Sequence, residues 1–290
     1  MAKTNSQIEN ARYAMQLLRS DIVHGGYWGA HVPEFDDIMY SEVPADVPTL
    51  IPDPCLANAS WTAAYEEALV GIPIQSYTGS PSGTCNTILS GELTANGTDV
   101  LVVRHADTCA AGTTNCAADV TGTNAPLYVQ VSNFLTQLEA PGPYYAMGAP
   151  YDKLNRVGVA AEKRLFVQNI YFIKDNANGI PSLYRSEFGV SSGVPAQLAA
   201  QEIVPGVERF RVELGIDSLS ETGDAIDYTV EVDWQDPDDW KIPTNRGDGI
   251  PDGAFVHCTA AGTSPCALAD LINVATVKIY ILARADEPSP

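Results

Sequence analysis

The run Asn245-Arg-Gly-Asp-Gly-Ile-Pro-Asp252, preceded by Asp236-Pro-Asp-Asp239, comes nearest in this chain to metal chemistry. Spaced oxygens around a glycine turn are how a calcium loop encloses one hard cation, and Asn245, Asp248 and Asp252 are the candidate ligands. Arg246 stands where an oxygen would be needed, so the same run also reads as an acidic turn. Arg246-Gly-Asp248 is in addition a tripeptide that some cell-surface receptors read on a loop tip. Six cysteines offer a second chemistry. Cys109 and Cys116 bracket a Gly/Thr loop, Cys258 and Cys266 bracket another, and Cys55 and Cys85 remain as a wider pair. Zinc spacing of the Cys-x-x-Cys kind is absent, which leaves disulfides or free buried thiols. Six Cys allow many connectivities, and proximity favours 55–85, 109–116 and 258–266.

Hydrolytic chemistry finds little to work with. The four histidines, His24, His31, His105 and His257, lie in no Gly-x-Ser-x-Gly or His-Glu-x-x-His setting and read as structural or surface residues. The adjacent acids Glu66-Glu67, Asp36-Asp37 and Asp238-Asp239 point apart on a strand and about 100° apart on a helix, which suits solvated faces better than acid/base pairs. Tyr144, Tyr145 and Tyr151 share a Gly/Pro loop that fits a contact surface or a packed core. No catalytic residue and no organic cofactor is expected, and calcium is the one cofactor to test.

Acidic residues outnumber basic ones 36 to 16, and the formal charge of −20 repels polyphosphate, so nucleic acid is excluded as the expected partner. Charged residues make up only 18% of the chain, while Gly and Pro are plentiful, the composition of a loop-rich exported β protein. No run approaches the roughly 18 apolar residues of a membrane span, and Met-Ala-Lys-Thr-Asn at the start is not a signal peptide, so the chain reads as soluble. Disulfides imply export all the same. The expectation is therefore that an apolar segment native to the protein precedes Ser6.

Of the elements that must position these residues, the first is a helix. Ile8, Ala11, Met15, Leu18 and Ile22 recur at three- and four-residue steps and define a stripe to bury, with Ser6 and Glu9 as a capping box and Gly25-Gly26 as the stop. A proline-punctuated excursion follows from His31 to Pro54, then a short helix Trp61–Leu69 capped by Asn58 or Ser60. Strands are expected at Val100–Val103, Pro126–Val131, Leu165–Ile173, Pro181–Arg185, 202–217, Asp227–Val232 and Val274–Arg284, with a hairpin turn at Asp175-Asn-Ala-Asn-Gly. In the last strand Val277, Ile279 and Ile281 alternate with Lys278 and Tyr280, so one face should be buried.

Several separated blocks occur in the order found in the PilW family of type IV minor pilins: the first helix with Gly-Gly-Tyr-Trp-Gly, Gly97-Thr-Asp-Val-Leu-Val-Val-Arg104, Pro181-Ser-Leu-Tyr-Arg185, Pro205 to Asp217, and Val277 to Arg284. The chain resembles that family across most of its length. The resemblance implies an α+β, pilin-like fold with an amphipathic helix on an antiparallel sheet and a loop-rich second β lobe. Residues 1–29 would be the C-terminal half of the pilin helix, 30–160 the loop-rich lobe and 161–290 the main sheet of one continuous head. It implies a non-enzymatic subunit that primes pilus assembly at or near the tip, beside other minor pilins and a tip adhesin. The missing helix half would hold the head in the periplasm at the inner membrane before export to the pilus tip. A type II secretion minor pseudopilin and a secreted lectin-like β domain are the alternatives.

Overall fold

The computed structural model describes residues 2–79, 85, 89, 98–122, 124–134, 137, 144–259 and 266–284, and the side chains of all of these except 2–5 and 240. The fold is α+β. Four α-helices stand among the described residues: α1 (Ala2–Ile22), α2 (Ala63–Gly71), α3 (Pro237–Lys241) and α4 (Leu268–Ile272). Ten strands follow the chain as β1 (Ile74–Thr78), β2 (Asp99–Ala110), β3 (Tyr128–Val131), β4 (Tyr145–Met147), β5 (Lys163–Asp175), β6 (Pro181–Ser191), β7 (Val194–Gln197), β8 (Gln201–Pro205), β9 (Val207–Ile216) and β10 (Val274–Ala283).

All strand pairings among the described residues are antiparallel. Strand β5 is the spine of an eight-stranded sheet ordered β1-β2-β5-β3-β4, with β6 also on β5 and carrying β7 and β8. The sheet thus draws strands from both sides of residue 160. Strands β9 and β10 form a separate two-stranded ribbon. Because side chains alternate across a strand, the spine feeds two cores. Leu101, Val103, Tyr171, Ile173 and Leu183 face one side, where they meet Ala14 and Leu18 of α1 and Val207, Phe210, Val212 and Leu214 of the ribbon. Val100, Val102, Ile170 and Phe172 face the other, against Tyr77 and the Cys55–Cys85 disulfide. A third cluster gathers Trp28, Leu69, Phe166, Tyr145 and Met147.

The ribbon is fastened to the sheet by one buried carboxylate. Asp99 in β2 accepts the Val212 amide at 2.8 Å and the Thr78 hydroxyl at 2.9 Å, and lies 2.9 Å from His257 Nε2. The Cys258–Cys266 disulfide sits in the same core beside it, while Cys109–Cys116 closes a surface loop at the end of β2. The chain leaves α1 through Gly26, whose φ of 81° is the left-handed turn the sequence calls for, and its amide bonds the Arg104 carbonyl. Trp28 then plugs the third core, its indole donating to the Val70 carbonyl at 3.0 Å.

Several expectations need correction. Helix α1 already runs from Ala2, so Ser6 lies within it and caps nothing. Its buried face is turned roughly a quarter turn from the expected stripe. Leu18 is fully buried and Ala11 and Ile22 are half-buried, but Ile8 and Met15 are exposed, at 46% and 40%, and Ala14 and Leu17 take their places. Two polar side chains cause the turn: Gln7 donates to the Ala283 carbonyl at 2.6 Å and Asn10 to the Pro205 carbonyl at 3.1 Å. Those bonds satisfy strand-end carbonyls that apolar side chains would leave unpaired. The cap of α2 is Thr62, which accepts from Tyr65; Asn58 and Ser60 form a 3₁₀ turn before it. The single strand expected at 202–217 is broken at Gly206, with φ of 74°. Asp227–Val232 is not a strand, because the Asp227 carboxylate ties back to the amide and hydroxyl of Thr229 in a turn.

The two apolar faces of α1 predict different costs. Leu18→Ala should lower unfolding free energy by about 3 kcal/mol, since a fully buried side chain leaves a cavity. Met15→Ala should cost less than about 1 kcal/mol. Urea denaturation of both variants checks the assignment, and similar losses would place Met15 in the core.

Candidate functional site

The helix is held to the sheet at its last turn by Asp21. The carboxylate lies 3.0 Å from His105 Nε2 in β2, and its two oxygens accept from Asn169 Nδ2 in β5, at 3.1 and 3.0 Å. His105 Nδ1 is 2.9 Å from the Ala106 carbonyl, so both ring nitrogens face acceptors and the imidazolium, with two N–H donors, fits both. Burial works against that charge, but the bonds to Asp21 and to the Ala106 carbonyl outweigh it, with Asp107 adding to them, and the His105 pKa moves upward. The His24 ring packs 5.7 Å from it.

With one side of α1 fixed in this way, the opposite side stays uncovered. Val23 is 71% exposed, and Met15, Gln16, Arg19, Ile22 and Val23 border a groove of about 490 Å³ whose far wall is Val277 and Ile279 of β10. Its lining is mainly apolar, and among the described residues Arg19 is the one charged residue along it. Ile8 continues the exposed apolar surface up the helix. Contact chemistry is what such a surface offers: apolar area to bury against another protein, with no group to take or give a proton.

The candidate calcium ligands have other partners. Asn245 is buried, donates to the Val230 carbonyl and accepts from Arg246 Nε at 3.0 Å. Asp248 accepts the Ile250 amide, and Asp252 accepts the amides of Ser218 and Leu219 at 2.8 and 2.7 Å. Asp217, which sequence reading passed over, is buried beside them and accepts the Gly249 amide at 2.6 Å; any side chain at Gly247 would collide with it. Arg246 explains the departure from the calcium pattern. Its guanidinium is buried and bonds the carbonyls of Asp37 and Tyr40, clamping the proline-rich excursion to this turn. The Arg-Gly-Asp tripeptide is therefore not displayed on a tip. Among the described residues, the His, Cys, Asp and Glu ligand atoms gathered within 4.8 Å are those of Asp53, Cys55 and Cys85, and both sulfurs are in the disulfide.

The remaining candidates are structural. Tyr145 is buried against His31 with ring centroids 4.9 Å apart, and the Tyr151 hydroxyl accepts the Tyr128 amide at 3.0 Å. Burial pushes His31 down to about 4, the opposite direction to His105. Inside the sheet, Arg104 is completely buried; it donates to the Ile72 carbonyl and, at 2.5 Å, to Gln168, which also donates to the Pro54 carbonyl. The Asp21–His105–Asn169 cluster and this arginine have no local sequence signal, since their members stand far apart in the chain.

The raised His105 pKa fixes a sign. Its contribution to stability is complete below the unfolded value of about 6.5 and is lost as pH rises through the folded value. His31, lowered to about 4, changes stability only below about 6.5, while Asp46, raised by burial to about 6, adds its own loss at the bottom of the window above that, so the difference between wild type and a His105 variant isolates His105. Thermal unfolding from about pH 6.5 to 8.5 should show the melting temperature falling, and His105→Gln should flatten that fall. Equal slopes for both proteins would remove the charged bond to Asp21.

No helix among the described residues is long and apolar enough to cross a membrane. No curated protein and no solved structure matches the chain. Residues 170–290, which hold the C-terminal part of β5, all of β6 to β10 and the Arg246 turn, match the family model for Type IV Pilus-assembly protein W, the PilW family that the sequence resembles, and this match supports involvement in type IV pilus assembly.

Proposed function

We propose that this chain is a structural minor pilin that helps prime type IV pilus assembly and sits at or near the pilus tip with other minor pilins and a tip adhesin. The observation that carries the reading is the exposed apolar side of α1, running from Ile8 through Met15 to Val23, in a chain whose last 121 residues match the pilus-assembly family. A helix that fixes one face to its own head and leaves the other apolar face bare is suited to packing among like helices. The mechanism is burial: each subunit removes the neighbour's apolar stripe from water, at roughly 25 cal/mol for each Å². Neither catalysis nor a cofactor enters it.

In this reading an apolar helix half precedes the sequence described and anchors the head in the inner membrane, with the head in the periplasm until it joins the filament. The three disulfides fit that compartment. The reading predicts a separation of folding from assembly. In cells lacking the native gene, Ile8→Asp combined with Met15→Asp should leave the protein level and melting temperature close to the wild type yet reduce surface piliation at least about tenfold. Glu221→Lys, on an exposed turn, should restore piliation fully. Normal piliation by the double variant would contradict the role of this face.

A further inference from the structure

The register of the β9–β10 ribbon leaves one edge of β10 open. Leu214 exchanges both backbone hydrogen bonds with Val256, and the Val212 amide goes to Asp99, so these residues turn their polar groups away from β10. Their partners across the ribbon are Val277 and Ile279, with Ile281 the next in phase. In an antiparallel pair, residues opposite outward-facing neighbours also face outward. The amides and carbonyls of Val277, Ile279 and Ile281 therefore point to the side of β10 that no described strand occupies. The side chains of Val277 and Ile279 form the wall of the groove beside α1.

From this juxtaposition we infer that the β10 edge is an acceptor for an extended strand of another protein, apolar at alternate positions and carrying an acidic residue opposite Arg19. Backbone groups on a strand edge demand an extended occupant, because a helix has no main-chain donors to offer along its side. The apolar wall of Ile22, Val277 and Ile279 takes every second side chain of that strand. Arg19 borders the groove without an ion pair among the described residues, and a carboxylate would complete it. A second copy of this chain is the poorer occupant, since two chains of −20 repel at contact. The open edge follows from strand register alone and does not depend on a role in the pilus.

The test uses the whole chain and a nonapeptide of alternating Val and Thr with one central Asp, blocked at both ends. Binding followed by titration calorimetry should occur below about 1 mM, with slowed hydrogen exchange at the amides of Val277, Ile279 and Ile281. N-methylating one alternate set of peptide amides should weaken binding at least about tenfold, and methylating the other set less than about twofold, because only one edge of the peptide pairs with β10. Arg19→Glu should weaken the unmodified peptide about threefold or more. Absence of binding, equal loss from both methylated sets, or protection confined to other strands would overturn the inference. Peptide-free dimerisation that protects the same three amides would assign the edge to a second copy and overturn it as well.

Discussion

A carboxylate largely shielded from water where a helix meets a sheet is the constraint on which the rest of this structure turns. Asp21 must find donors in its new surroundings, because an unpaired buried charge costs several kcal/mol. It finds them in His105 and Asn169, on two adjacent strands of the eight-stranded sheet. Together with the Gln7 and Asn10 bonds to strand-end carbonyls, that requirement fixes the rotation of α1 about its axis, and with it which residues are covered. Leu18 and Ala14 go inward; Ile8, Met15 and Val23 are left to the outside. The uncovered face is thus a consequence of how the covered one is pinned.

The same device recurs elsewhere in the fold. Asp99 does for the β9–β10 ribbon what Asp21 does for the helix, joining β1, β2, β9 and His257 at one carboxylate. Arg246 does it with the opposite charge, reaching two carbonyls of the proline-rich excursion. Apolar burial supplies the bulk of the driving force, but it is non-directional. These charged groups give orientation, since each is satisfied only when particular elements stand at particular angles.

That division explains what was legible in the sequence. Alternation at Val277, Ile279 and Ile281 announced β10, and Asn-Ala-Asn-Gly announced the hairpin in which Asp175 faces Pro181 across the turn. The cysteine spacing pointed to the pairs that the structure joins. The existence of α1 was legible from its period, but its buried face was not, because Gln7 and Asn10 pair with carbonyls about 276 and 195 positions away. Asp21, His105 and Asn169 carry no mutual signal for the same reason of distance. Gly206 looked like one residue of a long strand, although its left-handed backbone ends β8 there. The loop at Asn245 to Asp252 showed the right atoms for calcium, and only the fold reveals that one oxygen each of Asn245, Asp248 and Asp252 accepts from Arg246 or a backbone amide.

A photo-crosslinking amino acid placed at Met15, in cells that are assembling pili, would test the central claim most directly. The account predicts adducts between this position and another pilus subunit, and none from the same probe at Thr222, on an exposed turn away from the helix. If position 15 gave no adduct in piliated cells while the protein was present and folded, the exposed side of α1 would not be the assembly face.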